Sequence, residues 1–125
     1  MNNLTNCLCT DEIAAELQSV IYTLTDATKA IASIVREAAL LGVLGSGQMQ
    51  NVQGETQKKL DIITNDLIKT ALSENPQVRS LASEEETHVV PLHSSGKYVV
   101  AFDPLDGSTN IDINGQIGTI FTIYA

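Results

Sequence analysis

Tyr98-Val-Val-Ala-Phe-Asp103-Pro-Leu-Asp106-Gly-Ser-Thr-Asn-Ile-Asp112 is the stretch from which the rest of the chain is read. Its apolar half, Tyr98 to Phe102, has the composition of a buried strand, and a carboxylate follows directly. Pro104 fixes its own φ and pushes Asp103 into an extended conformation. The sequence therefore predicts that Asp103 closes the strand and that Asp106 folds back beside it, two oxygen ligands on one wall. Gly107 lets backbone approach a ligand closely, and Ser108, Thr109 and Asn110 can each cap a following helix. A strand end, a carboxylate pair and a helix start suit a cation and a phosphate bound together.

The whole chain sets limits on that reading. Its 125 residues, 43% of them hydrophobic, suffice for one domain with its own core. No apolar run reaches the roughly 20 residues of a membrane span. The start, Met1-Asn-Asn-Leu-Thr-Asn6, lacks the basic and apolar regions of a secretory signal, so a cytoplasmic protein without a membrane partner is expected. Cys7 and Cys9, one residue apart, read as free thiols. A net charge of −8, with Lys29, Arg36, Lys58, Lys59, Lys69, Arg79 and Lys97 scattered, argues against nucleic acid. After Lys97 there is no Lys or Arg, although Asp103, Asp106 and Asp112 lie there. A phosphate bound by this segment must meet backbone N–H groups and a cation.

Working towards the N-terminus, Val78 to Ala82 reads as a short strand, and Ser83-Glu84-Glu85-Glu86 follows it. Three adjacent carboxylates repel one another unless solvated, protonated or bound to a cation. In open α/β sheets ligands gather at the carboxyl ends of strands, where this triplet and Asp103 can meet. Glu55 to Leu72 has helical spacing, with Leu60, Ile63, Leu67 and Ala71 on one stripe, Asp61 beside it, and Asn75-Pro76 as its stop. Gly42 to Gly54, with glycines at 42, 45, 47 and 54, reads as a connection. Ile13 to Leu41 is helical, with Thr10 or Asp11 as N-cap: one long helix, or two joined by a bend in the polar stretch Thr23 to Thr28. His88 and His93 stand apart from other ligand types and read as surface residues, and Gly118 to Tyr124 is a second β-rich run. An EF-hand reading fails on register, because Phe102 and Pro104 occupy the first two donor positions before Gly107.

Asp103 to Asp112, Gly118-Thr-Ile-Phe-Thr-Ile-Tyr124, Ser83-Glu-Glu85 and Asn51-Val-Gln-Gly-Glu-Thr-Gln-Lys-Lys-Leu-Asp61 together resemble the class I fructose-1,6-bisphosphatases, from about Lys29 to Ala125. The Asp103-Pro-Leu-Asp-Gly107 core is shared with inositol monophosphatases and other lithium-sensitive phosphatases. Lys58-Lys-Leu-Asp61 and Gly96-Lys-Tyr-Val-Val100 point to fructose rather than sedoheptulose bisphosphate. The resemblance implies an α/β fold, a layered αβαβα sandwich of which residues 1–125 form the N-terminal metal-binding part: the N-terminal helices and part of the first sheet. It implies Mg2+-dependent hydrolysis of the 1-phosphate of fructose 1,6-bisphosphate to fructose 6-phosphate and phosphate. Two or three ions are expected, with Mn2+ or Zn2+ as substitutes, in a homotetramer acting on a sugar bisphosphate.

Carried over by position, the resemblance implies metal ligation by Glu84, Asp103, Asp106 and the carbonyl of Leu105. Glu55 falls on a further metal position where Asp is common. Asp61 and Glu85 match the carboxylates that activate and deprotonate the attacking water. Gly107, Ser108 and Thr109 match the phosphate-binding segment, with Asp106 also touching the sugar. Lys97 and Tyr98 match a pair from the family's AMP site, but the helix start that completes it reads Ala14-Ala15-Glu16-Leu17-Gln18, without hydroxyls, so AMP inhibition is not expected. No cysteine beyond Cys9 serves a thioredoxin-type switch. The family continues past Ala125, so the chain alone is expected to be inactive or nearly so. The competing expectations are a sedoheptulose-bisphosphatase or inositol-phosphatase relative, and a catalytically dead regulatory fragment.

Overall fold

The computed structural model describes residues 3–10, 12–44, 49–113 and 115–125, and of these the side chains of 10, 39–44, 49–56, 112 and 113 lie outside the description. Three helices come first: α1 (Leu4–Thr10), α2 (Ala15–Leu44) and α3 (Met49–Ser73). Strands β1 (Val78–Ser83), β2 (Val90–Pro91), β3 (Tyr98–Asp106) and β4 (Gly118–Tyr124) follow, with a 3-10 turn at Ser108–Ile113 between the last two. Among the described residues the strands form one mixed sheet in the order β2-β1-β3-β4. β1 and β3 are parallel, while β2 and β4 pair antiparallel on either side of them.

The expected long helix is α2, unbroken through its 30 residues. The polar stretch Thr23–Thr28 does not interrupt it because the hydroxyls bond back along the helix: Thr23 to the Ser19 carbonyl at 3.0 Å, Thr25 to Tyr22 at 3.0 Å, Thr28 to Thr25 at 2.8 Å. Its N-cap is not Thr10, which belongs to α1. The Ala14 carbonyl accepts from the Gln18 N–H at 2.9 Å, and the Gln18 side chain bonds the Ile13 carbonyl at 2.7 Å. Asp11, the alternative cap, lies outside the described residues. The connection expected at Gly42–Gly54 is largely helix instead, since α2 runs to Leu44 and α3 starts at Met49. Met, Gln and Glu favour helix, and one internal glycine, Gly54, costs only about 1 kcal/mol. Residues 45–48 lie outside the described residues.

α2 contributes Val20, Leu24, Ala27, Ile31 and Val35 to the core, and α3 packs against it and against β1 and β3. The buried stripe of α3 is Leu60, Thr64, Ile68 and Leu72, turned from the expected Leu60, Ile63, Leu67, Ala71; Ile63 is 47% exposed. Thr64 is tolerated at full burial because its hydroxyl bonds the Asp61 carbonyl at 3.2 Å. The same rotation carries Asp61 and Asn65 towards the sheet. Buried Asn75 ends α3 and ties it to α2, donating to Ser19 Oγ at 3.0 Å and Thr23 Oγ1 at 2.9 Å.

β3 buries Tyr98, Val100, Phe102 and Pro104 in strict alternation, with Val78 and Leu81 of β1 beside them. Contrary to the sequence expectation, Asp103 does not close this strand. Pairing with β4 continues through Asp103↔Ile120 to Asp106↔Gly118, with an irregularity between. Pro104, lacking an N–H, sits at that irregularity, where no ladder donor is needed. The Thr119 hydroxyl secures the Pro104 carbonyl at 3.0 Å.

Candidate active site

The parallel pair β1–β3 ends at one edge of the sheet. Its last register partners are Ser83 and Phe102, and the Glu84 N–H extends the ladder to the Phe102 carbonyl at 3.0 Å. Glu84 therefore leaves β1 beside Asp103, which lies within the neighbouring β3. Asp61, half-buried on α3, faces this edge, and Glu85 follows Glu84 in an exposed turn.

The protonation of two of these groups records their proximity. Burial, then the Asp103 carboxylate, pushes Asp61 above the usual aspartate range, and a hydrogen bond from Ser108 works the other way. Burial likewise pushes Glu85 up, followed by the charges of Asp61 and Glu84, a hydrogen bond with Glu84, and the charge of Asp103. Asp61, Glu84, Glu85 and Asp103 thus share one electrostatic neighbourhood, drawn from α3, the β1 end and β3. Asp106 is exposed at the far end of β3 and is not among the charges acting on Asp61 or Glu85. The expected fold-back of Asp106 onto Asp103 is replaced by continued strand. Among the described residues no three acidic, His or Cys side chains take up metal-holding geometry, and the Glu55 side chain lies outside them. The donor set nevertheless fits a hard divalent cation, because mutually repelling carboxylate oxygens are the ligands such ions favour.

Asp103 also shapes the backbone it stands on. Its Oδ1 accepts the Leu105 N–H at 3.1 Å, a local turn that buries Leu105 and Pro104 beneath the site. Gly107 follows with φ +77, a value suited to glycine; a Cβ there would meet the Gln116 carbonyl at 3.0 Å. The helix expected after it is only the six-residue 3-10 turn Ser108–Ile113. Asn110 stabilises that turn, its N–H bonding the Gly107 carbonyl at 2.8 Å and its side chain the Gln116 carbonyl at 3.0 Å. Ser108 accepts from Gln57 Nε2 at 3.0 Å, and its hydroxyl lies close enough to Asp61 to favour the charged carboxylate.

Four polar residues of α3 fall on one face at four-residue intervals: Gln57, Asp61, Asn65 and Lys69. Gln57 bonds Ser108, which lies near Asp61, whereas Asn65 and Lys69 bond Glu86. Of these the sequence singles out only Asp61 by its place beside the apolar stripe; the interval of four is the signal that marks the others. Glu86 also separates from its two neighbours. Hydrogen bonds from Lys69, then Asn65, hold it below the usual glutamate range, opposite in direction to Glu85.

Lys97 and Tyr98 lie away from this edge, at the start of β3. Lys97 is paired with Glu16 in the first turn of α2, and Tyr98 is buried. His88 is exposed, and His93 is partly buried with Nε2 at 2.8 Å from the Ser73 carbonyl. A separate groove of about 540 Å3 between α2 and β4, walled by Ile31, Val35, Leu105, Ile111, Ile117 and Phe121, contains none of the site carboxylates.

Residues 4–125 match the family described as "Fructose-1-6-bisphosphatase, N-terminal domain". The chain belongs to this family. It is 58% identical over 124 residues to the class 1 fructose-1,6-bisphosphatase of Saccharophagus degradans, covering 99% of this chain and 38% of that protein. The class 1 fructose-1,6-bisphosphatase of Cellvibrio japonicus is 62% identical over the same length and shares. The crystal structure of Leishmania major fructose-1,6-bisphosphatase in holo form superposes with a TM-score of 0.80 at 33% identity, over 98% of this chain and 38% of that one. The chain thus spans somewhat over a third of the length of these fructose-1,6-bisphosphatases, and its helices and mixed sheet agree with their α/β fold. No described helix is long and apolar enough to cross a membrane.

Proposed function

We propose that this chain supplies the metal-binding and water-activating half of a fructose-1,6-bisphosphatase active site, hydrolysing the 1-phosphate of fructose 1,6-bisphosphate. The observation that carries the proposal is the convergence of Asp61, Glu84, Glu85 and Asp103 where β1 ends beside β3. In this reading Glu84, Asp103, Asp106 and the Leu105 carbonyl, with Glu55, hold Mg2+. When bound, the ions neutralise phosphate charge and lower the pKa of a coordinated water.

The protein's own residues supply the rest. Asp61 and Glu85 are the carboxylates placed to accept a proton from the attacking water. Gln57 fixes the Ser108 hydroxyl beside Asp61, and Gly107 turns the backbone at φ +77 into the phosphate-binding segment. Asp106, exposed, remains accessible to the sugar. Mn2+ or Zn2+ in place of Mg2+, and assembly as a homotetramer in the cytoplasm, belong to the same proposal. AMP is not a ligand in this reading, because the helix start Ala14–Gln18 offers no hydroxyl to hold its phosphate.

Phosphate release tests the proposal. The chain alone is expected to release next to none from fructose 1,6-bisphosphate. The chain joined to the remaining length of the Cellvibrio japonicus relative is expected to release it with Mg2+, faster than from sedoheptulose bisphosphate or an inositol phosphate. A chimera inactive on fructose 1,6-bisphosphate yet active on one of the others contradicts the substrate assignment; a folded chimera inactive on all three favours a regulatory fragment.

A further inference from the structure

Asn65 is 5% exposed, and both ends of its amide are used. Oδ1 accepts from the Ser83 hydroxyl at 2.7 Å, and Nδ2 donates to Glu86 Oε1 at 2.9 Å. Ser83 Oγ in turn accepts the Glu85 N–H at 3.2 Å, and the Glu86 N–H returns to the Ser83 carbonyl at 3.1 Å. Lys69, 30% exposed in its side chain, closes the network on the same Glu86 oxygen. The turn Ser83–Glu86 is therefore held at both ends by one side chain of α3. Asp61 stands one turn earlier on that same face of the helix.

We infer that Asn65 is a positioning residue, which with Lys69 and through Ser83 and Glu86 sets the placement of Glu84 and Glu85 relative to Asp61. The inference rests on the proposed function, since it concerns the groups assigned there to metal and water. The chemistry explains the residue type. An acceptor must face the Ser83 hydroxyl while a donor faces the Glu86 carboxylate, and a primary amide on a short stem offers both. Aspartate would set a second carboxylate against Glu86, and alanine would leave a buried hydroxyl and part of a carboxylate unpartnered. The three acidic neighbours thereby take different roles, Glu84 and Glu85 facing the site while Glu86 anchors the turn that carries them.

Mn2+ titration of the purified chain, with free Mn2+ read by electron paramagnetic resonance, tests this without turnover. Asn65→Ala and Glu86→Ala are each expected to weaken binding by roughly 10–100-fold, the range for groups that orient metal ligands. The double variant is expected to be no weaker than either single one, because both cut the same link. Amide exchange at Leu81 and Val100 reports whether the sheet is intact. If Asn65→Ala does not fold, Lys69→Met, which removes only the more exposed end of the network, is expected to weaken binding in the same direction. Wild-type affinity in the folded Asn65→Ala chain, or in Lys69→Met where that variant is the one read, overturns the inference, as do additive losses in the double variant. A wild-type chain that binds no Mn2+, or Asp103→Asn binding as tightly as wild type, removes the proposed function and this inference with it.

Discussion

Gln57 donates a 3.0 Å hydrogen bond to Ser108 Oγ, linking α3 to the turn after β3 across 51 positions of sequence. The bond is part-buried, and the Ser108 hydroxyl it holds lies near the Asp61 carboxylate. A single bond of this kind contributes about 0.5–1.5 kcal/mol. Gln57→Ala is therefore expected to speed amide exchange at Asn110, which closes the 3-10 turn, by several-fold while leaving Leu81 and Val100 unchanged. Uniform acceleration across the sheet would show that Gln57 acts on global stability instead.

Protonation gives a second expectation, with its sign fixed by direction. Asp61 and Glu85 have folded pKa values raised above their ordinary 3.8 and 4.5. Between its unfolded and folded pKa each group binds more protons when native, so stability falls as pH rises through that window, and the penalty is complete above it. Glu86 and Glu16 are lowered, so their stabilisation is present above 4.5 and is lost as pH falls through their folded values. In metal-free buffer Tm should fall on the acid side of 4.5 as Glu86 and Glu16 are protonated, and on its neutral side as Asp61 and Glu85 lose their protons. Asp61→Asn should flatten the neutral-side decline, and Mg2+ should oppose it by favouring the charged forms. A Tm that rises from mildly acidic to neutral pH in wild type and Asp61→Asn alike would contradict this.

Gly96 precedes β3 where the chain crosses the register shift of β1, and a Cβ there would lie 2.5 Å from the Arg79 backbone nitrogen. No flexible side chain is available to move aside. Gly96→Ala is expected to destabilise by about 1–3 kcal/mol, the usual cost of overpacking, seen as a lowered urea midpoint with unchanged slope. A neutral Gly96→Ala would mean that β1 and β3 can separate here without loss.

Because the helix start Ala14–Gln18 carries no hydroxyl, AMP at millimolar concentration is expected to leave Tm unchanged in wild type and equally in Glu16→Gln, which frees the exposed Lys97 from its partner. Saturable AMP binding to wild type by calorimetry would refute both statements.

Much of this architecture is visible in the sequence for local reasons. Tyr98, Val100 and Phe102 alternate because one face of β3 is buried, and the buried positions of α2 recur at helical spacing because one stripe meets the core. Asp103 and Glu84-Glu85 stand out because acidic residues directly after apolar runs are conspicuous. What escaped depends on distant partners. β2 is two residues long, one of them proline, and exists through its pairing with Ser80 and Leu81. β3 continues through Pro104 because β4 accepts an irregular register there. The stripe of α3 is turned because Thr64 satisfies its hydroxyl within the helix and Asn65 satisfies its amide on the β1 turn. Hydrogen bonds that make polar residues acceptable in a core leave no mark on apolar periodicity.

The central claim, that Asp103 and Asp61 serve one metal-dependent site in different roles, is met most directly by Mn2+ titration of wild type, Asp103→Asn and Asp61→Asn side by side. Asp103→Asn is expected to lose affinity by at least about tenfold with the fold intact, whereas Asp61→Asn stays closer to wild type because it is assigned to the water. Equal losses in both would contradict the division of roles, and unchanged affinity in Asp103→Asn would contradict the site itself.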